Sequence, residues 1–217
     1  SRIVIDDSSF SNNVAAREGG GVWNQVGSTM LIRNNSAIDR NSANGDAADE
    51  GGGGVFNNGG RVFIADSTVS RNVADGAAGS GGGIFSTAGV VRTNDTTISS
   101  NSAVRAGGGV EVIDGRIALI DSLLNGNDVG VTLAAAPGNG GGLHVTGSDA
   151  VVLVSGTRVI GNSAAKEGGG LWNQTGSRMV LRGDSRVSNN TAVGGESTTA
   201  GGGVYNKGRL ITTDSIF

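Results

Sequence analysis

Glu111 and His144 are the residues in this chain best equipped for acid–base chemistry. His144 is the sole histidine, and each of the two follows a run of glycines and one aliphatic residue, as Gly109-Val110-Glu111 and Gly142-Leu143-His144. A carboxylate and an imidazole held within hydrogen-bond reach can move a proton to or from a substrate. If the chain returns to the same place in each repeat, these two are neighbours, with Asp114, Asp121 and Asp128 nearby and the longer loop 133–142 as a wall. A glycosidase needs two placed carboxylates, and a polysaccharide lyase needs a base plus a cation that offsets the substrate carboxylate. The aspartates here are dispersed, mostly at turn positions where their side chains accept backbone hydrogen bonds. Glu111 and His144 therefore stand as candidates only, no catalytic residue is assigned, and the balance of the sequence is against an enzyme.

The same position carries a second kind of chemistry. Read one residue beyond each glycine–aliphatic mark, the series is Trp23, Phe56, Phe85, Glu111, His144, Trp172 and Tyr205. It uses five of the eight aromatic residues in the chain. If the aliphatic residue points inward, alternation along a strand points the next one outward. Trp23, Phe56, Phe85, Trp172 and Tyr205 would then form a column of rings, able to stack on sugars or to bury against a partner. They could equally pack under their own glycine-rich loops and serve the fold alone.

What positions these side chains is a repeat. Glycine runs ending in one aliphatic residue recur at Gly21-Val22, Gly54-Val55, Gly83-Ile84, Gly109-Val110, Gly142-Leu143, Gly170-Leu171 and Gly203-Val204, spaced 33, 29, 26, 33, 28 and 33 residues. Between these marks lies a second signature, Phe10-Ser11-Asn12-Asn13-Val14-Ala15, echoed as Ile38-Asp39-Arg40-Asn41-Ser42-Ala43 and Val69-Ser70-Arg71-Asn72-Val73-Ala74. It places Asn13, Asn41, Asn72, Asn101, Asn127, Asn162 and Asn190 at corresponding positions, where stacked side chains can cap buried turn amides as a structural ladder. Each unit holds three short apolar pieces separated by Gly, Asn, Asp and Ser, and none shows a sustained helical period. One such coil cannot bury its own apolar side chains, but stacked coils can. The reading is an all-β, right-handed parallel β-helix with three short strands per coil and about seven to eight coils of 26–33 residues.

Composition agrees and removes several alternatives. Glycine supplies 41 of the 217 residues against a usual share of roughly 7%, yet it comes in clusters and Pro137 is the only proline, which excludes collagen. With no cysteine and one histidine there is no thiol nucleophile and no zinc site of the usual kind. The glycine runs do not continue into Gly-Lys-Ser/Thr, so they are not phosphate loops, and the calcium-binding nonapeptide is not repeated. No metal or other cofactor is expected. The 16 basic residues are scattered through a chain of net charge −3, which argues against nucleic acid. No apolar stretch reaches the ~20 residues of a membrane helix. Outward threonines such as Thr96, Thr97, Thr132 and Thr157 lack the register of an ice-binding face, and Asn94-Asp95-Thr96 fits a glycan acceptor triplet.

A longer repeat overlies the coil. Arg17-Glu18-Gly19-Gly20-Gly21-Val22-Trp23-Asn24-Gln25 returns 149 residues later as Lys166-Glu167-Gly168-Gly169-Gly170-Leu171-Trp172-Asn173-Gln174. Such near-identity points to duplication in blocks, and residues 1–217 read as one β-helix domain within a larger repetitive protein. The open ends of such a rod would be covered by neighbouring domains or would associate end to end.

The alternation of Gly-Gly-Gly-Val-aromatic-Asn with Phe-x-x-Asn resembles the repeats of the polymorphic outer-membrane protein family and related bacterial surface β-helix proteins of autotransporter-passenger type, with the pectin-lyase-like solenoid fold. Phe10-Ser11-Asn12-Asn13 matches the family's Phe-x-x-Asn motif, whereas later units replace Phe with Ile or Val. Gly19-Gly20-Gly21-Val22 and Gly168-Gly169-Gly170-Leu171 match its glycine motif with glycine in the alanine position. The resemblance implies a rod in an extracellular or bacterial cell-surface setting, and brings no catalytic residue with it. The expected function is a secreted or surface scaffold or adhesin, with an extracellular glycan or a cell-surface protein as partner. The alternative is a protein that binds or cleaves polysaccharide along the aromatic column.

Overall fold

The computed structural model describes residues 1–130, 136–194 and 201–217. Each coil runs through short strands that pair only with their counterparts one coil before and after, always in parallel. One coil begins after a glycine run with Val22–Gln25, turns into Thr29–Arg33, then into Ala37–Asp39, then into the two-residue strand Ser42–Ala43. A loop and the next glycine run lead to Val55–Asn58, paired residue for residue with Val22–Gln25. Stacking these four pieces builds four parallel sheets, called first to fourth in coil order, of seven, eight, eight and seven strands. The eight-stranded sheets make a rod about 34 Å long at ~4.8 Å per step, and the coil is right-handed, the hand that parallel crossovers take.

The strand expected to end near the asparagine is in fact divided there, so a coil has four strands and not three. The residue before each asparagine carries the turn, with φ of 52° at Arg40, 53° at Arg71 and 55° at Ser100. After it only two residues, such as Ser42–Ala43, resume pairing.

The interior is one apolar column. Met30, Ile32 and Ile38 of one coil stack on Val62, Ile64 and Val69 of the next, all essentially closed to solvent, and a single cluster of such residues runs the length of the rod. Alternation within each five-residue strand of the second sheet produces this pattern: Arg61–Ala65 reads exposed, buried, half-buried, buried, half-buried.

Length varies at one corner. Connections between the first three sheets are two to four residues long, for example 59–60 and 66–67, whereas the stretch from the fourth sheet to the first is 16–21 in one coil and 44–54 in the next. The glycine run at that corner is a steric requirement. A Cβ on Gly82 would overlap the carbonyl oxygens of Ser102 and Gly108, because two neighbouring coils cross closely there.

Candidate functional site

The seven residues that follow the glycine–aliphatic marks form one column on the first sheet. Trp23 pairs with Phe56, Phe56 with Phe85, Phe85 with Glu111, Glu111 with His144, His144 with Trp172, and Trp172 with Tyr205. They lie on the face opposite the apolar interior. The rings touch along the rod: Trp23 and Phe56 stack at 6.4 Å between centroids, Phe56 and Phe85 meet edge to face at 5.2 Å, and His144 stacks on Trp172 at 4.3 Å. Trp172 in turn stacks with Tyr205, and the Lys207 ammonium lies over both rings.

The column is outward but not open. Phe56, Phe85, Glu111, His144 and Trp172 are buried, Tyr205 is half-buried, and Trp23 alone is exposed, at 41%. The cover comes from the variable corner, where the chain passes over the first sheet before entering it. Two of its residues clamp the tryptophans directly: Glu18 accepts from the Trp23 indole N–H at 3.1 Å and Glu167 from that of Trp172 at 2.9 Å. Those are the two copies of the block repeat, five residues apart in each. Of the two readings open to the column, packing beneath the glycine-rich corner describes Phe56, Phe85 and Trp172, since alternation decides which side of a sheet a residue takes but not what lies above it.

The structure brings Glu111 and His144 together. Glu111 Oε2 lies 2.7 Å from His144 Nδ1, with both side chains closed to solvent. Arg105 approaches the other carboxylate oxygen at 4.0 Å and donates to the Ser80 hydroxyl at 3.1 Å. Glu111 Oε1, His144 Nε2 and the nearby Asn139 Oδ1 have no hydrogen-bond partner among the described residues. In this arrangement the pair is a buried hydrogen bond inserted in a ring column. Asp114 and Asp121 are exposed at turns on other corners, and Asp128 belongs to the fourth sheet. Of the wall expected at 133–142, residues 133–135 lie outside the described residues, as does Thr132. Among the described residues no three His, Asp or Glu side chains gather where a metal ion could be held.

The asparagines make a continuous hydrogen-bonded stack. Asn101 Oδ1 accepts the backbone N–H of Asn72 at 2.9 Å and its side-chain N–H at 3.0 Å, while Asn101 Nδ2 donates to Asn127 Oδ1 and to the Val69 carbonyl, both at 3.0 Å. The same contacts to the next asparagine link Asn13 to Asn41, Asn41 to Asn72, Asn127 to Asn162 and Asn162 to Asn190.

Two further columns escape a reading of the sequence alone. Asn24 donates to Asn57, Asn57 to the Ser86 hydroxyl, and Asn173 to Asn206, on the interior side of the first sheet. At the corner between the second and third sheets, hydroxyls of Ser36, Ser122, Thr157 and Ser185 accept the backbone N–H of the coil before. Its signal was present as a dipeptide: Asp7-Ser8, Asn35-Ser36, Asp66-Ser67, Asp95-Thr96, Asp121-Ser122, Gly156-Thr157, Asp184-Ser185 and Asp214-Ser215. The first member of each takes a positive φ, 46° at Asp66 and 47° at Asp95, the conformation that Asp, Asn and Gly tolerate.

On the third sheet Asp39 is mostly buried and held by Arg71 at 2.7 Å, Arg40 at 2.9 Å and the Ser70 hydroxyl at 2.7 Å. Burial pushes its carboxyl pKa up, but the bonds from Arg71 and Ser70 and the two guanidinium charges more than offset that and hold it below 3.8.

No curated protein and no solved structure matches the chain. Residues 7–25 match the Chlamydia polymorphic membrane protein repeat, a stretch that holds both the Phe10-Ser11-Asn12-Asn13 turn and the Gly19-Gly20-Gly21-Val22 entry to the first sheet. The chain is thus a parallel β-helix that carries, at one of its coils, a segment similar to the repeat of that surface-protein family.

Proposed function

We propose that this chain is a non-enzymatic scaffold of a bacterial outer membrane or cell surface, presenting an adhesive rod to other cells. The observation that carries this reading is the uninterrupted stack of coils whose polar columns, the asparagines above all, are spent on the rod itself, joined to the match of residues 7–25 with a membrane-protein repeat. The burial of Glu111 and His144 and of most of the ring column argues in the same direction, since a polysaccharide-cleaving site needs its acid, base and sugar platform open to solvent. Among the described residues no helix is long and apolar enough to cross a membrane.

The test uses beads coated with the chain, scored for retention on monolayers of cultured animal cells, alongside a reducing-end assay on acidic and neutral polysaccharides. Retention without turnover is the expected outcome. Turnover of any polysaccharide that disappears in Glu111→Gln would replace the scaffold reading with an enzyme, and absence of both would reduce the rod to a spacer.

A further inference from the structure

Arginines that look scattered along the chain are brought into line by the register of the second sheet. The first position of its strands reads Arg2, Thr29, Arg61, Val90, Arg116, Val151, Arg178 and Arg209, each paired with the next. Arg2, Arg61, Arg116, Arg178 and Arg209 are all exposed. None of them has an acidic partner within 4.0 Å among the described residues, a property shared with Arg92, Arg158, Arg182 and Arg186, whereas Arg17, Arg33, Arg40, Arg71 and Arg105 are each paired with a carboxylate; what sets the column apart is its alignment in one register. Apart from the last step the arginines occupy alternate coils, about 9.6 Å apart at ~4.8 Å per coil. That spacing relieves the repulsion that directly opposed like charges would suffer, and leaves a line of unneutralised guanidinium groups about 34 Å long.

This face is accessible. The variable loops leave from another corner, and the connections flanking the second sheet are short throughout. Arg116 and Arg178, with Val90 and Val151 between and beside them, line an open groove of about 530 Å³. Asp114 and Asp149 line the same groove, and neither comes within 4.0 Å of an arginine side-chain nitrogen among the described residues. The aspartates at the opposite edge of the sheet, such as Asp66 and Asp95, lie five residues further along the strand. At ~3.3 Å per residue that is about 16 Å, twice the screening length of about 8 Å at physiological salt.

We propose that this arginine column is a binding face for a linear acidic polysaccharide, laid parallel to the rod axis with its carboxylate or sulfate groups on successive arginines. Guanidinium groups suit this because each can present two parallel N–H donors to such an anion. Linear density decides against duplex nucleic acid, which carries a charge every ~1.7 Å, far closer than one arginine per two coils. Alternating acidic polysaccharides place their charge once per disaccharide, a repeat of the same order as two coils. Single-stranded nucleic acid would need ring platforms beside the charges, and the adjoining outward positions are mostly aliphatic, Leu31, Leu153 and Val180 among them, with Phe63 the one ring and the exposed Arg92 adding a further charge. This inference adds a ligand class to the surface reading above and fails separately from it, since adhesion through a protein partner would leave that reading standing.

The experiment is titration of the whole chain with a defined hyaluronan oligosaccharide, which carries one carboxylate per disaccharide, across a salt series. Beside it run Arg61→Gln/Arg116→Gln/Arg178→Gln and a control that removes three charges elsewhere, Arg158→Gln/Lys166→Gln/Arg186→Gln, with folding checked by circular dichroism. Expected are binding that weakens as salt rises, a loss of about tenfold or more in the column variant with a shallower salt dependence, and near-parent affinity in the control. Lysine at the same three positions should recover only part of the loss. Should the triple fail to fold, single Arg116→Gln carries the comparison. Equal losses in both triples would reduce the effect to net charge. No hyaluronan binding by the parent chain, or tighter capture of a single-stranded oligonucleotide or of phosphatidylserine vesicles through the same arginines, would overturn the proposal.

Discussion

Asn101 shows what one rung of the asparagine column supports. Replacing it with alanine removes the acceptor of both the Asn72 backbone N–H and an Asn72 side-chain N–H in a buried turn. At about 1–3 kcal/mol for each unsatisfied buried group, Asn101→Ala should lose about 3 kcal/mol in urea unfolding. Glu111 and His144 predict a different signature. His144→Phe strands a buried carboxylate and should cost about 3–5 kcal/mol, whereas Glu111→Leu/His144→Phe, which restores an apolar column between Phe85 and Trp172, should recover most of it. A double-mutant cycle by chemical denaturation reads the difference, and additive losses would mean the pair is not coupled. Asp39 carries the pH dependence. Its folded pKa lies below the ordinary 3.8, so its contribution is present above that value and is lost as pH falls through the depressed one. The stability gap between the parent chain and Asp39→Asn should therefore be widest near neutrality and close below about pH 3.8; a gap that widens in acid would contradict the ion-pair assignment.

At the scale of the element, the glycine corner is the least forgiving part of the coil. Gly82→Ala places a methyl group against two backbone oxygens, one from the strand residue Ser102 and one from Gly108 in the next glycine run. A loss of about 3 kcal/mol or more is expected, read as a lower thermal midpoint, while an alanine at the open turn residue Gly27, which meets nothing nearby but sits at φ 75°, should cost about 1–2 kcal/mol from its left-handed backbone alone. The elements also explain what could be read in advance. Glycine runs and asparagines recur in every coil with the same neighbours, so their columns were visible as spacing. The two-residue strand Ser42–Ala43 carries no periodicity of its own, which hid the fourth sheet. The burial of Phe56 and Phe85 depends on loops whose sequences differ from coil to coil, and the arginine column alternates with Thr29, Val90 and Val151, so no repeated dipeptide announced it.

For the whole molecule, each coil contacts only its neighbours, so stability is close to a sum of coil and interface contributions. Removing residues 55–83, one whole period from Val55 to Gly83, joins Gly54 to Ile84 and keeps every column in register. That deletion should yield a folded rod shorter by about 4.8 Å, measured by small-angle scattering, with cooperative unfolding retained. A cut of half that length would put apolar positions on the outer face and should leave the chain unfolded by circular dichroism.

Because most variation in coil length emerges at a single corner, this architecture separates two tasks that most folds entangle. The exposed residues 46–49 can be lengthened, shortened or exchanged while the glycine run after them and the ladders on either side keep their pairing, since Val22 still meets Val55. An epitope tag or a foreign peptide spliced there would ride on the rod like a flag on a mast, and a lineage of such chains could try new surfaces without solving the folding problem again.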